Sequence, residues 1–116
     1  MNELTPEEIQ QAIEVWKLPR GLTYYPDQGF FSKPNPKANY EWEIHKSFGI
    51  QLLANHIEAE LAKEGRSLQQ TSIIHNQAQL SSRKPEQWPT EWVYCDPTNP
   101  LSRAIALIRA SLEVKP

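Results

Sequence analysis

The chain has 116 residues, 39% of them hydrophobic, with four tryptophans and a formal net charge of −2. That length makes one domain with room for one real core. Lys and Arg are scattered among slightly more acids and the pI is near 5.9, so the basic face by which duplex nucleic-acid binders neutralise phosphates is not expected.

A single cysteine, Cys95, excludes an internal disulfide and an all-cysteine metal site. A lone thiol suits a reducing compartment. The start, MNELTPEEIQ, lacks a basic and an apolar leader region, and no apolar run is long enough for a bilayer. The expectation is a cytoplasmic protein (host cytoplasm if viral) that makes no membrane contact.

In chain order, the first element is a helix over residues 5–18. Thr5 can cap it, Pro6 suits the first helical position, and Glu8 completes a capping box. Ile9, Ala12, Ile13 and Trp16 form its narrow apolar stripe. Leu18 to Gly21 ends it. Residues 22–32, LTYYPDQGFFS, place two β-prone pieces around turn chemistry, Pro26 to Gly29. They read either as a tight hairpin or as an extended arm anchored by aromatic residues. Pro34 and Pro36 then block regular structure, so residues 19–38 form a Pro- and aromatic-rich connector or arm.

Residues 39–64 read as one long helix, capped by Asn39 and stopped at Gly65. Trp42, Gly49, Leu52, Leu53, His56, Ile57, Glu60 and Leu61 follow helical spacing, with Phe48 widening the stripe. Gly49 costs about 1 kcal/mol against alanine inside a helix, so it needs a reason. Close packing against a strand or helix is one reason and a break in the helix is the other. Beyond Gly65 the period changes. Residues 71–78, centred on Ile73 and Ile74, and residues 91–95, EWVYC, read as strands. Ser81 to Thr90 is a loop by composition. Asn99 and Pro100 open a last, strongly apolar helix over residues 100–113. Two strands joined by a medium loop should be antiparallel neighbours. The whole predicts a single α+β domain over residues 1–116, with a small antiparallel sheet packed by helices in helix–sheet–helix layers.

Pro36-Lys37-Ala38-Asn39-Tyr40 leading into a long helix, two strands and the closing Pro100 to Leu112 segment together resemble the phage ABA-sandwich domain. That domain is found in small phage and prophage proteins of unknown role. The resemblance spans about residues 36–114 and rests on apolar spacing. It implies a layered fold and a phage or prophage origin, and it implies no mechanism.

Candidate chemistry is sparse. Glu41 with His45, and His56 with Glu60, share a helix face at four-residue spacing. His45 and His56 are three turns apart, about 16 Å, so they cannot share an ion, and zinc needs three or four converging ligands. Only His75 and Cys95 remain to supply them, so no metal and no cofactor is expected. Cys95 lacks a neighbouring base, and alternation sets it beside Val93 as a small buried thiol. No nucleophile elbow, phosphate loop or HExxH motif occurs. The chain reads as a non-enzyme, with no catalytic residue assigned.

The aromatic residues are the stronger signal. Tyr24, Tyr25, Phe30 and Phe31 crowd one extended segment, while Trp88, Trp92 and Tyr94 crowd the strand region. Neighbours on an extended piece face opposite ways, so one of each pair should leave the core. Exposed aromatic side chains anchor protein interfaces. The leading expectation is therefore a small accessory protein that binds a protein partner or self-associates, through Tyr24, Tyr25, Phe30, Phe31, Trp88 and Trp92. The competing one is a small-ligand or nucleotide binder using Tyr24, Tyr25 or Trp92, with Arg20, Arg66 or Arg83 on a phosphate.

Overall fold

The computed structural model describes residues 3–35, 37–65, 67–72, 77–81, 93–94 and 99–114. The class is α+β, with helices packed on antiparallel sheets. Helix α1 (Pro6–Trp16) opens with the complete capping box. The Glu8 amide donates to Thr5 Oγ1 at 3.2 Å, and the Thr5 amide donates to Glu8 Oε1 at 3.0 Å. Ile9, Ala12 and Trp16 are buried, as the apolar stripe requires.

Residues 22–32 form a hairpin, not a free arm. Strands β1 (Leu22–Tyr25) and β2 (Gly29–Ser32) pair antiparallel, Leu22 opposite Ser32 and Tyr25 opposite Gly29. The turn closes with the Gln28 amide donating to the Tyr25 carbonyl at 3.0 Å, and Gly29 takes a φ of 104° that side chains resist.

A third strand replaces the expected start of the long helix. Strand β3 (Trp42–Glu43) pairs antiparallel with β2, Phe31 opposite Glu43 and Ser32 opposite Trp42. Tyr40-Glu41-Trp42-Glu43-Ile44 alternates aromatic or apolar with acidic residues, a period of two that the neighbouring strand exploits. Helix α2 (Lys46–Lys63) begins only after it, capped by His45, whose Nδ1 accepts from the Ser47 amide at 3.2 Å. Asn39 is therefore not the cap. Helix α2 runs unbroken through Gly49, which is buried against β2. A Cβ at Gly49 would lie 2.6 Å from Phe30 Cβ and overlap the ring as well. The glycine exists so that Phe30 can lie on the helix backbone.

A second sheet has the order β4–β5–β6, all antiparallel: β4 (Ser67–Ser72), β5 (Gln77–Ser81) and β6 (Val93–Tyr94). The strand expected over 71–78 is instead divided between β4 and β5, with Ser72 opposite Gln77; its centre, Ile73 and Ile74, lies outside the described residues. The antiparallel neighbours expected are β5 and β6, Ala78 opposite Val93. Most of the expected loop 81–90, together with Trp88, Trp92 and Cys95, also lies outside the described residues. This sheet makes helix–sheet–helix contacts: β4 rests on α2, while β5 and β6 rest on α3 (Pro100–Val114).

Asn99 caps α3, its Oδ1 accepting from the amides of Leu101 and Ser102 at 2.9 and 3.3 Å. Helices α2 and α3 form the centre of the core through Ile50, Leu53, Ile57 and Leu61 against Ala104, Ile105, Leu107 and Ile108. Ion pairs show that α3 runs antiparallel to α2. Arg103 binds Glu58 at 2.6 Å, whereas Arg109, two turns on, donates to the Glu3 carbonyl at 3.0 Å, and Glu3 in turn meets Lys46 at 4.0 Å. Arg109 also binds Glu8 at 2.9 Å, tying α3 to α1.

Candidate functional site

The β1–β2–β3 sheet packs one face on α2 through Phe30 and leaves the other open, and alternation distributes the aromatic residues between them. Phe30 points to α2 and is 1% exposed; Tyr24, opposite it, packs on its ring at a centroid distance of 4.7 Å. Phe30 thus belongs to the core. Burial, helped by the charge of Glu7, pushes the Tyr24 phenol above its ordinary value.

Phe31 and Tyr25 lie on the open face, edge to face at 5.3 Å. The Tyr25 hydroxyl donates to Glu41 Oε1 at 2.5 Å, and the Thr23 hydroxyl donates to Glu41 Oε2 at 2.7 Å. The hydrogen bond to Glu41 raises the Tyr25 phenol; the same bond, then that from Thr23, lowers the Glu41 carboxyl. Glu41 thus clamps β1 from across the sheet. Its position beside the strand also undoes the Glu41/His45 helix pair expected from spacing.

The most exposed aromatic residues among those described are not among the expected binding residues. Tyr40, Trp42 and Phe48 are 60%, 52% and 54% exposed, and Tyr40 lies against Trp42 with ring centroids 5.9 Å apart. Helical counting assigns Trp42 and Phe48 to a buried stripe. The signal that finds Trp42 is the two-residue alternation from Tyr40 to Ile44. Among the described residues β3 pairs only with β2, so its far edge carries unpaired backbone groups beside these rings. Of the six binding residues expected, Tyr25 and Phe31 share the open sheet face, Tyr24 and Phe30 share the inner one, and Trp88 and Trp92 lie outside the described residues.

The histidines have separate tasks. His56 donates from Nε2 to the Trp16 carbonyl at 3.0 Å and so closes the end of α1. Glu60, its expected partner, pairs with Lys63 at 3.1 Å. Among the described residues no group of three or more His, Cys, Asp or Glu side chains could hold a metal ion; His75 and Cys95 lie outside them. No described helix is long and apolar enough to cross a membrane. Comparison with family models, curated proteins and solved structures finds no match.

Proposed function

We propose that this chain is a small non-enzymatic binding protein that takes up an extended segment of a partner protein along the free edge of β3. The observation that carries this is the exposed Tyr40–Trp42 pair standing beside a strand edge that is unpaired among the described residues. Strand addition of this kind draws affinity from main-chain hydrogen bonds and specificity from alternate side chains. Apolar side chains of the incoming strand would pack on Tyr40 and Trp42. Basic ones would meet Glu43, which is exposed on the opposite side.

Charge also argues which partner fits. In a symmetric pairing of two β3 edges that keeps the aromatic residues together, Glu41 and Glu43 of one copy face the same acids of the other. Like charges across strands oppose pairing. A different protein with alternating apolar and basic residues fits better than a second copy.

Selection of binders from a random-peptide library tests this directly. Enriched peptides should alternate apolar with Lys or Arg, and Trp42→Ala with Tyr40→Ala should abolish their binding. A monomer by light scattering at tens of micromolar is expected alongside. A dimer abolished by Trp42→Lys would replace the partner with a second copy, and a monomer enriching no peptide would sink the proposal. The resemblance to the phage ABA-sandwich domain supports a phage or prophage accessory role, which neighbouring tail, lysis or defence genes would test.

A further inference from the structure

A groove of about 440 Å³ lies between the α1–β1 connection, the end of β2 and the middle of α2. A second hollow of similar volume opens from it around Pro34 and Asn35. Arg20, Gly21 and Lys33 line both, so the two cations stand at the junction. Asn55 and His56 face the first hollow from α2, and Leu22 and Leu52 supply its apolar wall.

The balance of this lining differs from that of the chain. The sequence holds 14 acids to 12 bases, yet none of the described residues lining either hollow is a carboxylate. Among the described residues neither cation has a carboxylate at contact distance. None of the ion pairs or hydrogen bonds among the described residues engages the side chains of Arg20, Lys33 or Asn55. Elsewhere Arg103, Arg109, Lys46 and Lys63 each have a carboxylate partner. Glu41, near enough to Lys33 to feel its charge, is held by Thr23 and Tyr25. His56 is fixed in orientation, because Nε2 is committed to the Trp16 carbonyl.

We propose that this groove binds a small organic anion, a phosphomonoester with a compact apolar body. Arg20 offers the forked donor set that matches phosphate oxygens, and Lys33 adds a point charge. Asn55 supplies a neutral donor from the side. The body lies along Leu22 and Leu52 in a hollow of the size that small-molecule sites use, roughly 300–1,000 Å³. Neither Tyr40 nor Trp42 lines the groove, although Ser32, which does, pairs with Trp42, so the two readings are told apart by their probes.

Titration of the ¹⁵N-labelled full chain with phenyl phosphate, inorganic phosphate and phenol tests it by amide shifts. Phenyl phosphate should give saturating shifts at Gly21, Leu22, Lys33, Asn55 and His56. Inorganic phosphate should bind the same residues more weakly, and phenol should leave them unmoved. Arg20→Gln should weaken phenyl phosphate by about tenfold, the worth of one charge-assisted hydrogen bond. Asn55→Asp puts a carboxylate on an exposed helix position at the groove and should abolish binding while the amide spectrum elsewhere stays folded. Shifts that never saturate, equal affinity for both phosphates, or unchanged affinity in Arg20→Gln and Asn55→Asp would each overturn the proposal.

Discussion

Phe30 and Phe31 are adjacent residues of one strand, yet the two faces of the sheet use them in different ways. On the inner face Phe30 is held by shape: a glycine removes one side chain of α2 so that the ring can touch helix backbone. On the outer face Phe31 is held by an exposed cluster in which Tyr25 covers it and Glu41 fixes Tyr25. The inner contact is dry and unforgiving, since close-packed interiors feel even one methyl group. The outer one is wet, and solvent can replace much of what it supplies. A residue's neighbours, more than its type, decide its worth here.

The largest expected effect comes from emptying the inner contact. Phe30→Ala should cost about 3–5 kcal/mol in denaturant unfolding, the usual loss for a buried aromatic ring plus the cavity it leaves. A loss below about 1 kcal/mol would mean that α2 collapses onto the sheet and that the contact is soft.

Filling the contact from the other side sharpens the same point. Gly49→Ala favours the helix by about 1 kcal/mol through propensity, but the new methyl group meets the Phe30 Cβ and ring. Cβ is tied to the strand backbone and cannot swing away, so overpacking of about 1–3 kcal/mol should win and the variant should be less stable. In a Phe30→Ala background the clash is gone, and Gly49→Ala should become neutral or stabilising. This double-mutant cycle reads the coupling directly. A stabilised single variant would show that the helix and sheet separate easily.

Phe31→Ala should cost less, about 1 kcal/mol, the range of an aromatic pair with modest burial. Thermal unfolding compared with Phe30→Ala gives the ratio between the faces. Equal losses would mean that the outer cluster is as dry as the inner one.

Much of this fold was legible because local chemistry agrees with it. Thr5 and Glu8 announce α1, Asn99 and Pro100 announce α3, and Pro26 to Gly29 allow the hairpin. Gly49 was also informative, since a costly helix glycine demanded a close neighbour. The start of α2 was not legible by helical spacing alone. Trp42 and Gly49 happen to fall on one helical stripe, and only pairing with β2, a contact distant in sequence, decides for a strand. Division of residues 67–81 between two strands was hidden for the same reason, because registers are set by partners. Exposed Tyr40 and Trp42 follow from that missed strand. Arg20 and Lys33 come to line one groove because the hairpin returns Lys33 to Gly21, whose carbonyl accepts from the Lys33 amide at 2.9 Å.

The smallest effect belongs to the Tyr25–Glu41 bond, and pH is the means to see it. The Glu41 carboxyl is lowered in the fold, so its contribution is present above the ordinary carboxylate value near 4.5 and is lost as pH falls through the folded value. The Tyr25 phenol is raised, so its contribution is present below the ordinary phenol value near 10 and is lost as pH rises through the folded one. The bond therefore acts between these limits. Tyr25→Phe should lower stability at neutral pH only slightly, since Tyr25 is exposed, Glu41 is half-buried and water replaces much of the bond. It should still flatten the difference between pH 7 and the acid range, and Glu41→Gln should flatten the acid limb and remove the lift in the Tyr25 titration. Spectroscopic titration of the tyrosines in wild type and Glu41→Gln measures that lift without relying on stability. An unchanged Tyr25 curve in the variant would mean that Glu41 does not hold the phenol, and the outer face would then rest on the Tyr25–Phe31 ring contact alone.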